Sequence, residues 1–478
     1  MSALDTSIIF IYLGLMIVIG LYANYRQKNV EDYYVAGRKL GPFSIACLWL
    51  ASWVGGASII GSSARAHEMG ITAIWYVLSL AIGCLLFGLF VAGRIQKMGD
   101  EHRHLTYPDF VEQRFDSRTR IIATITTSAA FIAYAAGQLV ALGSILHVLL
   151  GWDYSQALLL ASAIVITYTA TGGFLAVTYT DWAQFILLLI GIVLIGIPIA
   201  INEAGSFADL QNSLPASYFD IGAWGWPAII ALVFSIVLSF FVAMDSFTRC
   251  FAARDAGASR RGALLAVVFM LPIAVAATWL GLASAALFPA VESSNDILTT
   301  FVLELFPAGL KGLMLVGILA AVMSSADICI LTSSANLTRD IYQRYINPDV
   351  DKQAMLRISM WASVAAGLLA TLMAWKMQDI IDVLLLGFTI NSAALFVPTI
   401  VALLWKRADA NAAFWSIALS LPTVIAWKIA ASAGFEGIFL VQPLWPGLIV
   451  STVSFIMVSV ARRDGHHPML FPGSGKRS

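Results

Sequence analysis

The feature that most constrains this chain is a series of long apolar segments, each of about 18 to 30 residues, in which charged side chains are rare. A helix needs about 20 mostly apolar residues to cross a bilayer, whereas a strand of a membrane barrel needs only about 10 residues of alternating polarity. The predicted spans are 6–24, 42–62, 72–95, 120–149, 156–173, 182–203, 225–247, 262–288, 308–337, 354–375, 379–405, 411–431 and 441–461. We therefore predict an all-α integral membrane protein with 13 transmembrane helices.

Composition excludes several classes of protein. Of the 478 residues, 59% are hydrophobic and only 12% are charged, whereas a soluble globular chain carries about 25% charged residues. The 28 Lys and Arg residues balance 28 Asp and Glu residues, so no basic surface is available for nucleic acid. No zinc-protease, serine-hydrolase or phosphate-loop motif occurs in the sequence, which argues against an enzyme. The expected partners are the bilayer, an ion and a small solute, and no obligate protein partner is implied.

Positive charge in the predicted loops is asymmetric. With the N-terminus placed outside, 24 of the 28 Lys and Arg residues fall on the cytoplasmic side, as positively charged loops do in membrane proteins. The exceptions are Arg65, Lys311, Lys376 and Lys428. We therefore predict a multi-pass protein of the plasma (inner) membrane, with its N-terminus outside and its C-terminus in the cytoplasm.

The ninth predicted span carries a small polar cluster. Ala321, Ser324 and Ser325 have the spacing i, i+3 and i+4, which places them on one face of a helix. Two hydroxyls and a carbonyl are hard oxygen ligands that suit an alkali cation. The alternative is a packing seam of small residues whose serines bond the carbonyls one turn back.

The second predicted span contains the pair Gly55-Gly56 in the middle of an apolar segment. A helix that is interrupted at membrane depth frees backbone carbonyls that can hold a cation. The alternative for the glycine pair is a close crossing of two helices.

Two acidic residues are further candidates. Asp327 lies deep in the ninth span, where a carboxylate must be paired, protonated or in contact with water. Asp181 lies in the predicted connection between spans five and six, and either caps the sixth helix or points into the bundle. For Asp327 the alternative is a hydrogen bond to a neighbouring helix without contact to an ion.

With these features in place, the chain resembles the sodium:solute symporters, which include the bacterial proline, pantothenate, sialic-acid and galactose carriers. Five motifs carry the resemblance in the same order along the chain. They are the AGR segment at 31–38, the Pro-Asp loop at 105–115, the GGFLAVTYTDWAQ segment at 172–184, the segment from Arg249 to Arg254, and the segment from Ser324 to Tyr342.

The resemblance implies a leucine-transporter-type fold within one transmembrane domain that covers residues 1–478. Two inverted five-helix repeats would occupy residues 42–204 and 205–405. A leading helix and loop would precede them at 1–41. Two trailing helices at 406–462 and a cytoplasmic tail at 463–478 would follow.

The resemblance also implies a sodium site and a solute pocket. The Na⁺ ligands would be the carbonyls of Ala51, Val54 and Ala321 and the hydroxyls of Ser324 and Ser325. Asp181 matches a family aspartate near this site and is on that ground a predicted ion-path residue. Asp327 is the second predicted ion-path residue, because a charged carboxylate deep in an apolar span is costly and lies one turn from the two serines. Some members hold a second sodium ion with two further hydroxyls, and Asp327 and Ile328 occupy those two positions here.

The pocket should lie near the midplane between spans two, four, seven and eleven. Its candidate residues are Trp53, Ser58, Gln138, Ser235, Ser239, Phe240, Thr389 and Asn391. Arg65 and Glu68 lie at the outer mouth, where the alternative is a simple surface ion pair.

The predicted function is Na⁺-coupled import of a small organic solute such as an amino acid or a monocarboxylate. The pocket residues of the proline branch are not preserved, because Trp53 and Gly55 replace an aspartate and a serine there. A channel or facilitator and a solute-sensing transceptor are the alternatives. A channel should carry a filter motif or a ring of like charges, and a sensor should carry a soluble module.

Overall fold

The computed structural model describes residues 2–26, 38–291, 293–405, 408–435 and 437–461. Within these ranges the structure does not describe the side chains of residues 13, 16, 17, 19–26, 168, 171–185, 352 and 356. The predicted site residue Asp181 is among them, whereas most of the AGR motif at 31–38 lies outside the described chain altogether.

The described chain is helical almost throughout. The first helices are α1 (Ala3–Arg26), α2 (Pro42–Trp53), α3 (Ser62–Met69), α4 (Trp75–Phe90), α5 (Ala92–His102), α6 (Tyr107–Arg114), α7 (Ser117–Leu150), α8 (Tyr154–Leu188), α9 (Ile197–Ala204) and α10 (Phe207–Ser213). The remaining helices are α11 (Trp226–Phe240), α12 (Met244–Ala252), α13 (Ala256–Leu287), α14 (Ile297–Leu305), α15 (Leu310–Ala335), α16 (Lys352–Lys376), α17 (Ile380–Leu404), α18 (Ala410–Ser432) and α19 (Leu444–Ala461).

Many of these helices are long and apolar enough to cross a membrane. Within the described residues nine meet this test, and a tenth span results if α11 and α12, bent by 40°, form one span. Shorter apolar helices at Ala3–Tyr12, Pro42–Trp53 and Tyr154–Thr167 coincide with three further predicted spans. The all-helical membrane architecture is therefore confirmed, while the count of 13 stays a prediction.

Helices α7 and α15 form the centre of the bundle. Helix α7 begins at the N-cap Asp116, whose carboxylate accepts the N–H of Thr119 at 2.8 Å, and ends at Gly151 with a positive φ of 66°. It packs against α8, α15, α16 and α17, and α15 packs against α8 and α2. Nearly all residues of α15 from Gly312 to Ile330 are buried. Any site on α15 is therefore enclosed by protein.

Two helical segments are broken inside the bundle. The first break lies between α2 and a π-helical turn at Ala57–Gly61, around the Gly55-Gly56 pair. The second lies at residues 241–243, between α11 and α12. The first break agrees with the interruption predicted from the glycine pair. The second was not predicted, because the sequence there contains neither glycine nor proline.

One predicted connection differs from the structure. The sequence predicts a connection between spans five and six at residues 174–181, but α8 runs as a helix through them and continues into a π-helical segment at Leu189–Gly196. The pair Gly172-Gly173 directly precedes these residues within α8. A glycine in a helix interior costs only about 1 kcal/mol of helix stability. Packing of α8 on α7 and α15 can outweigh that cost.

Candidate functional site

The predicted sodium ligands meet where α2 ends beside the middle of α15. The hydroxyl of Ser325 donates to the carbonyl of Ala51 at 3.0 Å and to that of Ala321 at 3.1 Å. The hydroxyl of Ser324 also lies 3.1 Å from the Ala321 carbonyl. Four of the five predicted oxygens thus form one connected cluster. The fifth belongs to Val54, which is buried at the C-terminal cap of α2.

The break after α2 explains why oxygens are available there. The last carbonyls of a helix lack the usual partner four residues on, so they must find other donors. Here the Ser325 hydroxyl donates a hydrogen bond to the carbonyl of Ala51, and the Ser58 hydroxyl donates one to the carbonyl of Trp53 at 3.1 Å. A hydroxyl can donate to such a carbonyl and still offer lone pairs to a cation. The cluster therefore has the chemistry of an alkali-ion site.

The glycine pair also permits a close approach between elements. A Cβ atom on Gly55 would lie 2.6 Å from the Ser325 hydroxyl oxygen, and one on Gly56 would lie 2.5 Å from the Cβ of Ala141. The N–H of Gly56 donates to the side-chain carbonyl of Gln138 on α7 at 2.7 Å. Both interpretations of the pair, an interrupted helix and a tight crossing, hold at once.

A cavity lies directly beside this cluster. About 30 Å³ of it can hold the centre of a water molecule, within about 450 Å³ of space between protein atoms that is partly open to solvent. Its lining includes Trp53, Ser58 and Gln138 from the predicted pocket. Gly55 separates the two sites, since it lines the cavity and also adjoins Ser325. An ion at the cluster and a solute in the cavity would thus share the broken segment of α2.

Three other predicted pocket residues lie behind the cavity wall and contact residues that line it. Phe240 stacks on Trp53 with ring centroids 3.7 Å apart. Ser239 and Asn391 both bond the hydroxyl of Tyr134, at 3.1 and 3.2 Å.

Two more of the predicted residues lie elsewhere. Ser235 and Thr389 bond each other at 3.2 Å, and Thr389 lines a second cavity. Neither residue lines the cavity beside the oxygen cluster of Ala51, Ala321, Ser324 and Ser325.

The sequence interpretation missed Asp245. This residue is 7% exposed, lies in the first turn of α12 and lines the cavity. An ionisable residue in a membrane span is a functional candidate in its own right, which is the signal that could have found it. Asp245 lies two residues before the end of the predicted span 225–247.

Asp327 is fully buried, and its carboxylate accepts the N–H of Ile328 at 2.6 Å. Its neighbours Ile328 and Cys329 line the cavity, but Asp327 is not among the lining residues. The structure thus places it one position away from the cavity wall. The side chain of Asp181 lies outside the described residues.

Arg65 links two elements at the end of the bundle predicted to face outside. Its guanidinium lies 3.3 Å from Glu68, 2.9 Å from Asp379 and 3.9 Å from Asp382, and it stands 4.9 Å from the ring centre of Trp224. The side chain is only 13% exposed. The contact is therefore more than the simple surface pair with Glu68 considered from the sequence, because it ties α3 to the start of α17.

A second charged cluster lies at the opposite end. Arg120, at 2% exposure, is within 2.9 Å of Asp109 and 2.7 Å of Glu112, and it also contacts Asp340. Glu112 lies 2.5 Å from Arg344. This cluster connects α6 and the start of α7 with the π-helical segment Asn336–Ile346 that follows α15.

The charges and hydrogen bonds of this cluster lower the pKa of the two acids on α6. Burial alone would raise the pKa of Asp109, but the charges of Arg120 and Arg339 and the N–H groups of Leu105 and Thr106 lower it below its usual value. For Glu112, burial is likewise outweighed by hydrogen bonds from Ser117 and Arg120, so the pKa is lowered. Both acids are therefore held in their ionised form around the arginine.

Comparison with known proteins agrees with this architecture. The model of the sodium:solute symporter family matches residues 33–419. The chain is 27% identical over 457 residues to the high-affinity proline transporter PutP of Bacillus subtilis, covering 93% of this chain and 95% of the relative. It is 26% identical over 500 residues to the sodium/proline symporter of Haemophilus influenzae, covering 96% and 95%.

Solved structures share the fold. A Na⁺-coupled sialic acid symporter superposes with a TM-score of 0.79 at 23% identity, covering 98% of this chain and 99% of the other. Mhp1, a nucleobase-cation-symport-1 family transporter, superposes with a TM-score of 0.59 at 16% identity, covering 91% and 96%.

These comparisons confirm the resemblance found in the motifs, and they favour neither the channel nor the transceptor alternative. Both an enzyme and a soluble protein are excluded by the family and by the multiple apolar helices. The chain belongs to the sodium:solute symporter family and is a multi-pass membrane transporter.

Proposed function

We propose that this protein imports a small organic solute together with Na⁺ by alternating access. The observation that carries the proposal is the oxygen cluster of Ala51, Ala321, Ser324 and Ser325, which adjoins the cavity through Gly55. Ala51, Val54 and Ala321 bind the ion through their carbonyls, and the two serines bind it through their hydroxyls.

Coupling follows from the shared segment. Residues 51–54 supply ion ligands, while Trp53, Gly55 and Ser58 line the solute cavity. An ion that orders the broken end of α2 also orders the cavity wall. The solute must in turn favour ion binding to the same extent, because coupling between two binding sites is reciprocal.

The two helix breaks support the proposed internal repeat. One lies near the start of the predicted repeat 42–204 and the other near the start of the predicted repeat 205–405. Interrupted spans at corresponding positions of two halves are typical of inverted-repeat transporters, with the binding site between them. We propose this repeat, 13 spans, and a plasma-membrane location with the N-terminus outside.

The two charged clusters are suited to closing the pathway on alternate sides. The Arg65 cluster joins α3 to α17 on the proposed outer side. The Arg120 cluster joins α6 and α7 to the segment after α15 on the proposed inner side. We propose that opening on either side requires the corresponding cluster to separate.

The solute is a small organic molecule, and the relatives named for proline and for sialic acid indicate which classes of solute to test first.

A thermal-shift screen of the purified protein tests the proposal. Amino acids, monocarboxylates, sugars and vitamins are added in Na⁺ or in K⁺ at equal ionic strength. A ligand that binds only the folded state raises the melting temperature. We expect at least one solute to do so in Na⁺ and not in K⁺. If no solute distinguishes the two ions, symport is wrong.

Neutral variants of the two ion-path acids separate their roles. We expect Asp181→Asn to reduce transport strongly and to change its Na⁺ dependence, because Asp181 assists release of Na⁺ to the inside. We expect Asp327→Asn to change turnover or its pH dependence more than Na⁺ affinity, since Asp327 lies beside the cavity wall. Uptake by reconstituted protein over a series of Na⁺ concentrations and pH values measures both. Normal transport by Asp181→Asn at low Na⁺ would assign Asp181 to helix capping alone.

A further inference from the structure

The solute cavity has one carboxylate in its described lining. Asp245 lines the cavity from the first turn of α12, just after the break at residues 241–243, and is 7% exposed. The described lining contains no Lys, Arg or His. A carboxylate at membrane depth needs compensating partners. Arg249 and the N–H of Ser246 supply part of that compensation from within α12, and the side chain also borders the space that a solute would fill.

Arg249, one turn further along α12, supports the wall from behind. Its guanidinium donates to the carbonyl of Leu48 at 3.1 Å and to the backbone carbonyl of Asp245 at 3.2 Å. It also donates to the hydroxyls of Thr248 and Ser52. These bonds fix α12 against α2, and the positive charge of Arg249 also acts on the carboxylate of Asp245. The arginine thereby holds the Asp245 backbone in place without being part of the described cavity lining.

Aromatic rings form much of the remaining wall. Trp53, Phe131, Tyr134 and Phe388 all line the cavity. The rings of Trp53 and Phe388 stack 5.6 Å apart, those of Tyr134 and Phe388 are 4.9 Å apart, and those of Phe131 and Tyr134 are 5.2 Å apart. Aromatic faces attract a cation that lies within about 6 Å of the ring centre, and several rings around one space are typical of sites for ammonium groups.

From this combination of one carboxylate and an aromatic wall, we propose that the solute carries a cationic nitrogen and that Asp245 is the residue that binds it. The proposal rests on the proposed function, because it assigns the chemistry of the solute that the Na⁺ cluster couples. It distinguishes amines, quaternary ammonium compounds and amino acids, which carry such a nitrogen, from sugars and simple carboxylates, which do not.

A series of ligands matched in shape but not in charge tests the proposal. Choline is compared with its neutral isostere 3,3-dimethylbutan-1-ol, glycine betaine with the anion 3,3-dimethylbutanoate, and proline with cyclopentanecarboxylate. Melting temperature is measured in Na⁺, and K⁺ serves as the replacement ion, since organic cations would themselves be ligands under the proposal. We expect only compounds with a cationic nitrogen to raise the melting temperature.

Variants of Asp245 then assign the binding to this residue. Asp245→Asn should weaken the binding of the ammonium ligand by about tenfold or more, because a hydrogen bond to a charged group is lost. Asp245→Glu keeps the charge and should retain part of the affinity. An acid in the first turn also stabilises its helix, so the shift caused by Na⁺ alone reports whether Asp245→Asn is still folded with its ion site intact.

The outcomes separate this proposal from the proposed function. A neutral or anionic solute that binds in a Na⁺-dependent manner, with equal affinity in Asp245→Asn, would overturn the assignment of Asp245 and leave symport standing. A panel in which no ammonium compound raises the melting temperature would overturn it as well. Binding of an ammonium compound that is equal in Na⁺ and K⁺ would support the role of Asp245 and contradict symport.

Discussion

Arg120→Met is expected to destabilise the protein severely. The guanidinium stands among Asp109, Glu112 and Asp340, and both Arg120 and Asp340 are almost fully buried. Methionine is of similar length but has no charge, so the variant leaves buried carboxylates without their central partner. Breaking a buried ion pair from one side costs about 3–5 kcal/mol. We expect a large loss of melting temperature and of folded yield in detergent.

Arg118→Met is the matched control. Arg118 lies on the same helix two residues earlier and is exposed, so its loss should have little effect. Adding Asp340→Asn to Arg120→Met should recover part of the lost stability, because it removes one of the buried charges. If Arg120→Met and Arg118→Met melt at the same temperature, the Arg120 cluster does not hold this end of the bundle together.

Ser325→Ala should weaken Na⁺ binding by about tenfold or more, which corresponds to roughly 1.4 kcal/mol. The Ser325 hydroxyl joins the Ala51 carbonyl of α2 to the Ala321 carbonyl of α15, so its removal takes one oxygen from the ion and disconnects the two helices. Ser324→Ala should act in the same direction. The half-saturating Na⁺ concentration, read from the rise of the melting temperature with Na⁺, measures the effect.

Ser333→Ala provides a close control for this experiment. Ser333 lies on α15 and is fully buried, and its hydroxyl also bonds the carbonyl four residues back and one on a neighbouring helix, at 3.0 and 3.3 Å. It has the same bonding pattern as Ser325 but lies about two turns away. Equal Na⁺ dependence in Ser325→Ala and Ser333→Ala would show that the serines only pack the helices.

Local signals in the sequence were sufficient to predict the all-helical membrane architecture and to single out three residues of the oxygen cluster formed by Ala51, Ala321, Ser324 and Ser325. Hydrophobic length identifies membrane helices, because the bilayer sets that length directly. The spacing of Ala321, Ser324 and Ser325 places them on one face, and the Gly55-Gly56 pair marks an interruption. The family resemblance added Ala51 and Val54, which the residues alone would not have singled out.

Features that depend on packing could not be predicted in the same way. The break at residues 241–243 carries no glycine or proline, and α8 continues without interruption through the pair Gly172-Gly173 and residues 174–181. The pairing of Ser235 with Thr389, and of Ser239 and Asn391 with Tyr134, depends on how α7, α11 and α17 pack. Asp245 was missed because a span boundary drawn from hydropathy does not show that the helix bends there into the bundle.

Uptake into proteoliposomes tests the central claim of Na⁺-coupled import most directly. The solute identified by thermal shift is supplied outside, with an inward Na⁺ gradient and an inside-negative potential imposed separately and together. For each positive charge that crosses, 100 mV contributes about 2.3 kcal/mol. We predict uptake above equilibrium with the Na⁺ gradient, a further increase with the potential, and loss of both responses when Ser324 and Ser325 are replaced by alanine together. Uptake that reaches the same level in Na⁺ and K⁺, and does not respond to the potential, would contradict the account.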